Sequence, residues 1–261
     1  MILSVILEII KCTMKISIIT VTYNSEKFLG SCIESVINQN YANIEYIIID
    51  GGSVDQTLEI IRSYNGKIDK WVSEPDGGIY EAMNKGIDLA SGDVIGILNS
   101  DDIYHDHTVI SDVMARFTKN QELDILYGDI VYVSKRNLNR YVRRWQSKPY
   151  FKNFFEYANV PPHPAMFVKA HVYQKVGKFN LQYRFAADYE FMLRILKVYH
   201  LKSEYLSRLI VRMRLGGVTN SSLRNIYRAN LEVLKSWKNN GLSAPASLMP
   251  LRIIKRLGQY L

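Results

Sequence analysis

The chain has 261 residues, 48% of them hydrophobic, enough to bury one good-sized core. Charged residues make up 22%, which excludes wholesale disorder, and the net charge of +8 suits an anionic partner: phosphate, nucleic acid or an acidic membrane face. Two cysteines, Cys12 and Cys32, exclude a cysteine-based zinc site and a disulfide framework and fit a reducing cytosol.

The first segment, residues 1–13, is apolar but short and carries Glu8 and Lys11. A spanning helix needs about 20 apolar residues, so this segment reads either as a mis-called start ahead of Met14 or as a short membrane-touching helix. Ile16–Thr22 is rich in β-branched residues and predicts a buried strand. Phe28, Leu29, Cys32, Ile33, Val36 and Ile37 recur at helical spacing, and Ile44–Asp50 predicts a second buried strand. Ser53-Val54-Asp55-Gln56 has the form of a capping box and predicts a helix through Arg62. Ile68–Ser73 predicts a third strand. Asp76-Gly77-Gly78 breaks the chain before a helical stripe of Ile79, Ala82, Met83, Gly86, Ile87 and Ala90. Asp93–Leu98 is a fourth apolar strand that runs into Asn99-Ser100-Asp101-Asp102. Repeated strand–helix–strand units predict an α/β fold around a mostly parallel, Rossmann-like sheet with right-handed crossovers.

After about residue 120 the pattern changes. Asp124–Ser134 and Arg140–Trp145 predict strands of a smaller, mixed arrangement. Pro161-Pro162-His163-Pro164 is a rigid loop, a helix is predicted from Ala187 to about Val198, and Glu204–Leu215 reads as a strand. From Ser221 onward the chain predicts two helices separated near Pro245. The expected organisation is one domain over 14–215, in two halves at 14–120 and 121–215, followed by a helical tail at 216–261.

In open α/β sheets, ligands sit beyond the carboxyl ends of the strands. The polar residues there are Thr22-Tyr23-Asn24, Asp50-Gly51-Gly52-Ser53 and Asn99-Ser100-Asp101-Asp102. Each group alone is ordinary turn chemistry, but together they predict one crevice. Adjacent carboxylates repel unless a cation joins them, so Asp101 and Asp102 point to a hard divalent ion, Mg²⁺ or Mn²⁺, clamping a diphosphate, with a helix-capping pair as the alternative. No dinucleotide fingerprint, phosphate-cradling Gly-Lys-Ser/Thr loop or nucleophile elbow is present, which argues against a dehydrogenase, an ordinary ATPase and a lipase. No nucleic-acid motif accompanies the positive charge.

These residues carry a resemblance. Ser17–Asn24, Glu45–Thr57 (EYIIIDGGSVDQT), Glu74–Gly86 (EPDGGIYEAMNKG), Ser91–Asp102 (SGDVIGILNSDD), Pro162-His163-Pro164 and Ala186–Glu190 follow one another in the order and spacing of a known family. The sequence resembles family 2 glycosyltransferases of the GT-A fold, particularly bacterial enzymes that build O-antigen, capsule or exopolysaccharide. The resemblance implies a nucleotide-sugar donor, with Thr22, Tyr23 and Asn24 against base and ribose. Asp50, Gly51 and Ser53 would border the base, and Asp76, Gly77, Gly78 and Tyr80 would lie near the donor phosphates and ribose. It also implies Asp102 on the metal and Asp101 on ribose or sugar, with Asn99 and Ser100 where relatives carry further acids. Gly51 stands where many relatives have a second aspartate, which removes the usual carboxylate contact to the base.

By the same resemblance Asp188 is the catalytic base, opposite the leaving group, with Glu190 as the fallback. His163 shapes the acceptor site or is a structural histidine. Arg212 and Arg214, ahead of Leu215–Asn220, either close over a diphosphate or form a solvated strand face. His105 and His107 assist the metal or lie at a helix start. Arg143-Arg144-Trp145 lacks the upstream glutamine of a processive-synthase motif. Relatives use polyprenyl-diphosphate-linked saccharide acceptors at the cytoplasmic face of the plasma membrane. A basic amphipathic stretch, Leu251–Leu261, either lies on an anionic membrane surface or packs on the core. A nucleotidyltransferase and a non-catalytic nucleotide-sugar-binding scaffold are the rival readings.

Overall fold

The computed structural model describes residues 14–216 and 223–258. Leucine, isoleucine and valine runs bounded by polar turns become β1 (Ile16–Thr22), β2 (Ile44–Asp50), β3 (Lys70–Ser73) and β4 (Val94–Asn99). β1 is buried along its whole length, and β2 and β4 nearly so, as strands covered on both faces must be. They pair in parallel in the order β3-β2-β1-β4, so all four carboxyl ends open on one side.

The sheet does not stop at residue 120. β8 (Met166–Lys169) pairs antiparallel with β4, and β6 (Ile125–Val133) pairs antiparallel with β8. β9 (Ser203–Arg214) runs parallel to β6, and the short β5 (Ile103–Tyr104) pairs with β9. β7 (Tyr141–Trp145) pairs with the far half of β6. The nine strands form one mixed sheet, so the sequence change near residue 120 marks a change of strand direction within it.

Helices cover both faces. α1 (Leu29–Ile37), α2 (Thr57–Ser63) and α4 (Val109–Lys119) share a core with Ile16, Ile18, Tyr46 and Leu98. α3 (Ile79–Leu89) packs on the opposite face against Ile19, Val21 and Ile47, together with α5 (Ala170–Val176) and α6 (Ala187–Leu193). α7 (Leu223–Asn239) and α8 (Leu248–Gly258) follow, and Val233, Trp237 and Leu248 enter this second core. Gly86 lets α3 approach β1 closely, since a Cβ there would come 2.3 Å from Cγ2 of Ile19.

Three details differ from expectation. The capping box does not form: α2 starts at Thr57, Asp55 accepts the Thr57 amide at 3.0 Å, and Ser53 bonds Asp50 and Asn24 instead. The helix from Ala187 reaches Val198 as expected but changes winding, α-helical to Leu193 and π-helical over Arg194–Val198. β8 and α5, absent from the sequence reading, join the two halves: four residues of Met166–Lys169 are too few to show a period. Leu215 and Gly216 end the described strand region, and most of the loop proposed after Arg214 lies outside the described residues, as do residues 1–13.

Candidate active site

The crevice lies where β1, β2 and β4 end. Asp50, fully buried, knots the β2 turn: its carboxylate accepts the Ser53 hydroxyl at 2.5 Å, the Ser53 amide at 3.0 Å, the Gly52 amide at 3.2 Å and the Ser73 hydroxyl at 2.7 Å. Asp50, expected to border the base, holds its carboxylate inside the loop and organises it from within. Asn24, at φ 48°, joins β1 to that loop, its amide donating to Ser53 at 2.8 Å and its Oδ1 accepting from Val54 at 3.0 Å. Tyr23 projects beside it, 63% exposed. Ser25 and Ser100 hydroxyls, 2.8 Å apart, tie the β1 and β4 ends.

Gly51 sits against the loop after β3. A Cβ at Gly51 would lie 2.7 Å from Oδ2 of Asp76, so the Asp76 carboxylate fills the space a second aspartate would need. Oδ1 of Asp76 accepts the Gly78 amide at 2.8 Å and shapes the turn that starts α3. Asp76, Gly77 and Gly78 thus border the crevice together with Gly51 and Ser53.

The acidic turn separates its two carboxylates. Asp102 is fully buried; its Oδ1 accepts the main-chain amide of Arg214 at 3.1 Å and its Oδ2 the Asn99 amide group at 3.4 Å. Asp101 is part-exposed at the head of the turn. Asp101 is the more exposed carboxylate of the pair, and Asp102 braces the turn from beneath. Burial raises both carboxyls, and Asp102, with Asp101's charge adding to burial, rises well above the ordinary range. Among the described residues, Oδ1 of Asn99 and Oγ1 of Thr22 are buried polar atoms without a hydrogen-bond partner, both at the crevice ends of their strands. Asp101 and Asn99 offer oxygen donors only, and Mg²⁺ or Mn²⁺ takes one or two carboxylates and completes its shell with water and phosphate, so these residues fit such an ion. No group of three or more metal-type side chains occurs among the described residues.

Arg212 and Arg214 are corrected. Arg214 is buried; its guanidinium donates to the Asp101 carbonyl and to Ser31 at 2.9 Å and stacks 4.9 Å over the Phe28 ring. It is a strut under the acidic turn, not a mobile clamp. Arg212 donates to Nδ1 of His105 at 3.3 Å and to Asn139 at 3.2 Å. Arg143 stacks over Tyr132 at 3.7 Å and Arg144 pairs with buried Asp129 at 2.8 Å, so both are built into the sheet.

Asp188 comes from across the crevice, in the first turn of α6. Its Oδ1 accepts the Tyr80 hydroxyl at 3.0 Å, a bond between residues 108 apart in sequence. Burial, then the Asp188 charge, holds the Tyr80 proton well above the usual phenol range, so Tyr80 stays a donor. Phe179 packs between Tyr80 at 5.8 Å and His163 at 5.4 Å, and Asn84 brackets the Phe179 main chain at 2.9 and 3.0 Å. Burial lowers the His163 pKa against the opposing pull of Asp188, leaving a neutral ring near the carboxylate. Glu190 is corrected: buried, it accepts Arg194 at 3.0 and 3.1 Å and Asn240 at 3.1 Å and faces away from the crevice.

Sequence reasoning did not single out Asn84, Phe179, Ser73 or Glu232, whose roles arise from contacts between distant segments. Asn84 lies within the Glu74–Gly86 segment of the family resemblance, which gave it no role, and no motif signals the other three; Trp237, a lone tryptophan on the α7 stripe, hints that the tail is built in.

This arrangement has close parallels. A PGL/p-HBAD biosynthesis glycosyltransferase from Mycobacterium bovis is 29% identical over 209 residues, 78% of this chain and 79% of that protein. Staphylococcus aureus TarS residues 1–349 in complex with UDP-GlcNAc superposes with a TM-score of 0.67 at 19% identity, covering 91% of this chain and 69% of TarS 1–349. The mannosyltransferase PcManGT from Pyrobaculum calidifontis, in complex with GDP-Man and Mn²⁺, superposes with a TM-score of 0.65 at 13% identity, covering 93% of this chain and 69% of that one. These likenesses identify the fold as GT-A. The sequence profile of glycosyl transferase family 2 matches residues 17–172, from β1 through β8 into α5, and the chain belongs to that family.

Proposed function

We propose that this glycosyltransferase is an inverting, divalent-metal-dependent hexosyltransferase. It moves a hexose or N-acetylhexosamine from a nucleotide-sugar, a UDP-sugar, to a saccharide acceptor carried on polyprenyl diphosphate. The work belongs to surface polysaccharide synthesis of the O-antigen or capsule kind, at the cytoplasmic face of the membrane. The observation that carries the reading is the Tyr80 hydroxyl donating to Asp188 at 3.0 Å, which joins the start of α6 to the α3 turn that follows Asp76-Gly77-Gly78. The nucleotide lies against Thr22, Tyr23, Asn24, Gly51, Ser53 and Asp76, and the diphosphate runs towards Gly77, Gly78 and Asp101. Asp101, with Asn99, would hold Mg²⁺ or Mn²⁺, which when bound stabilises charge on the departing diphosphate. Asp188 takes the proton of the acceptor hydroxyl as that oxygen bonds the anomeric carbon and the bond to the diphosphate oxygen breaks. Attack from the face opposite the leaving group inverts the centre. Tyr80 fixes the carboxylate, and neutral His163 lines the acceptor side.

Purified protein incubated with UDP-, GDP- and dTDP-sugars, with and without Mn²⁺, tests this. Metal-dependent release of UDP from one donor, lost in Asp101→Ala, supports it. Binding without release under every acceptor tried favours the scaffold reading; no binding of any nucleotide-sugar by calorimetry overturns the proposal.

The membrane part rests on α8. No helix among the described residues is long and apolar enough to cross a membrane. Ile253 and Ile254 are 59% and 62% exposed beside Arg252 and Lys255, and Lys255 donates to Asn159, which fixes α8 next to the loop bearing exposed Phe151 and Tyr157. Arg252 stacks 5.1 Å over the buried Tyr189 ring, so the exposed face of α8 offered to a bilayer surface is chiefly apolar. Cosedimentation with phosphatidylglycerol vesicles should occur at low salt and fall in I253D/I254D. Equal sedimentation of both proteins would remove α8 from this role.

A further inference from the structure

Asp188 can act as a base only if α6 holds it towards the crevice. That helix is seven residues long and has no side-chain cap. Its entry is held from elsewhere. Glu232, on α7, reaches the segment just before it: Oε1 accepts the Arg184 amide at 3.0 Å, and Oε2 accepts the Phe185 amide at 2.7 Å and the Ala186 amide at 2.9 Å. Three successive main-chain N–H groups converging on one carboxylate make an anion nest, and charge-assisted bonds of this kind are about twice as strong as neutral ones.

The far side of Asp188 is held by the same helix and its end. Trp237 donates to the Tyr189 hydroxyl at 2.9 Å, and Asn240, just past α7, donates to Glu190 at 3.1 Å. Asn239 donates to the Tyr183 hydroxyl at 2.8 Å. α7 therefore grips residues 183–186 ahead of Asp188 and 189–190 behind it. The Asp188 carboxylate itself is left to Tyr80. The matched family profile ends at residue 172, so α7 lies outside it.

We propose that Glu232 is a positioning residue that sets the aim of Asp188 by clamping the amides of residues 184–186. The proposal rests on the reading of Asp188 as the base. A carboxylate is required because two oxygens serve three donors. Glutamine keeps one accepting oxygen but turns an N–H₂ group towards an N–H. Glu232 adds its charge to burial and Asp188 in holding the Tyr80 proton, which places it on the edge of the same cluster.

The full-length chain is compared with Glu232→Ala and Glu232→Gln. Hydrogen exchange should accelerate at least about tenfold over residues 183–190 in the alanine variant and less in the glutamine variant, with β1–β4 unchanged. UDP affinity in Mn²⁺, measured by calorimetry, should hold, because α7 does not border the nucleotide. The kcat for UDP release from the accepted UDP-sugar should fall about 10²-fold in the alanine variant, KM for the donor staying constant, with partial recovery in the glutamine variant. Unaltered exchange over 183–190 would overturn the clamp. Accelerated exchange with wild-type kcat, or exchange raised across the whole sheet, would overturn the positioning role. Wild-type protein that binds no UDP would sink the UDP-sugar reading instead, while the exchange result would still decide the clamp.

Discussion

At the scale of single residues, the site divides carboxylates by environment. Asp50 and Glu190 are buried and held by three or four protein donors each, and Asp102 is buried with only two, whereas Asp101, Asp76 and Asp188 are part-exposed. Sequence spacing could not make this division, because Asp101 and Asp102 are neighbours with the same chemistry. Their variants should part company. Asp101→Asn should abolish metal-stimulated turnover with an unchanged melting temperature. Asp102→Ala should lower stability by about 2 kcal/mol, since it leaves the Arg214 amide unpaired. Equal melting temperatures in the two variants would refute the division. Asp188→Asn keeps an acceptor for the Tyr80 hydroxyl but cannot take a proton, so kcat should drop about 10³-fold while donor affinity by calorimetry stays put. A drop in affinity of the same size would mean that Asp188 binds the donor instead. Cys32 offers no competing chemistry: burial pushes its thiol up to about 12, and it donates to the Asn99 carbonyl at 3.4 Å.

At the scale of elements, α3 is the bridge between the two sides of the crevice. Its first turn supplies Tyr80, its middle supplies Asn84 for Phe179, and Gly86 sets its distance from β1. The stripe Ile79, Ala82, Met83, Gly86, Ile87 and Ala90 was readable from period alone; its middle four are buried, whereas Ile79 at the helix start is exposed and Ala90 at its end half-buried. The need for glycine at 86 was not, because it depends on Ile19 coming from another strand. Gly86→Ala should destabilise the protein by about 2 kcal/mol through overpacking and lift Tyr80 from Asp188, so the urea midpoint and kcat should fall together. An unchanged midpoint would show that Ile19 repacks without cost. The turn after β4 shows the opposite case: its acidic pair was evident in sequence, and its bracing by Arg214 of β9, 112 residues away, was visible only in the fold.

At the scale of the molecule, the end of the sheet away from the crevice is locked by one carboxylate. Glu45 accepts the Ser17 hydroxyl at 2.5 Å, the Ser91 hydroxyl at 2.7 Å, the Ser91 amide at 2.8 Å and Lys70 at 2.9 Å, with Lys15 at 3.3 Å. It joins β1, β2, β3 and the loop before β4. Burial pushes its carboxyl up, but the donors outweigh burial and hold it well below the usual carboxylate range. An unfolded glutamate titrates near about 4.3, so the stabilisation is full above that pH and is lost as pH falls through the lower folded value. Glu45→Gln should cost about 2 kcal/mol at neutral pH, and its melting temperature should approach the wild-type value as the pH drops below about 4. A gap that stays constant on acidification would contradict this account.

The sequence by itself determined the four parallel strands, their crossovers and the polar residues at their ends, because strand and helix periods and turn residues are local properties. It also carried the family resemblance, through the order of six short segments. What only the tertiary structure decided is which carboxylate faces the crevice, why Arg214 and Glu190 are occupied elsewhere, and how α7 secures Asp188. Those outcomes depend on burial and on donors brought from segments tens to more than a hundred residues away, and no local pattern encodes the meeting of Tyr80 with Asp188 or of Glu232 with the amides of 184–186.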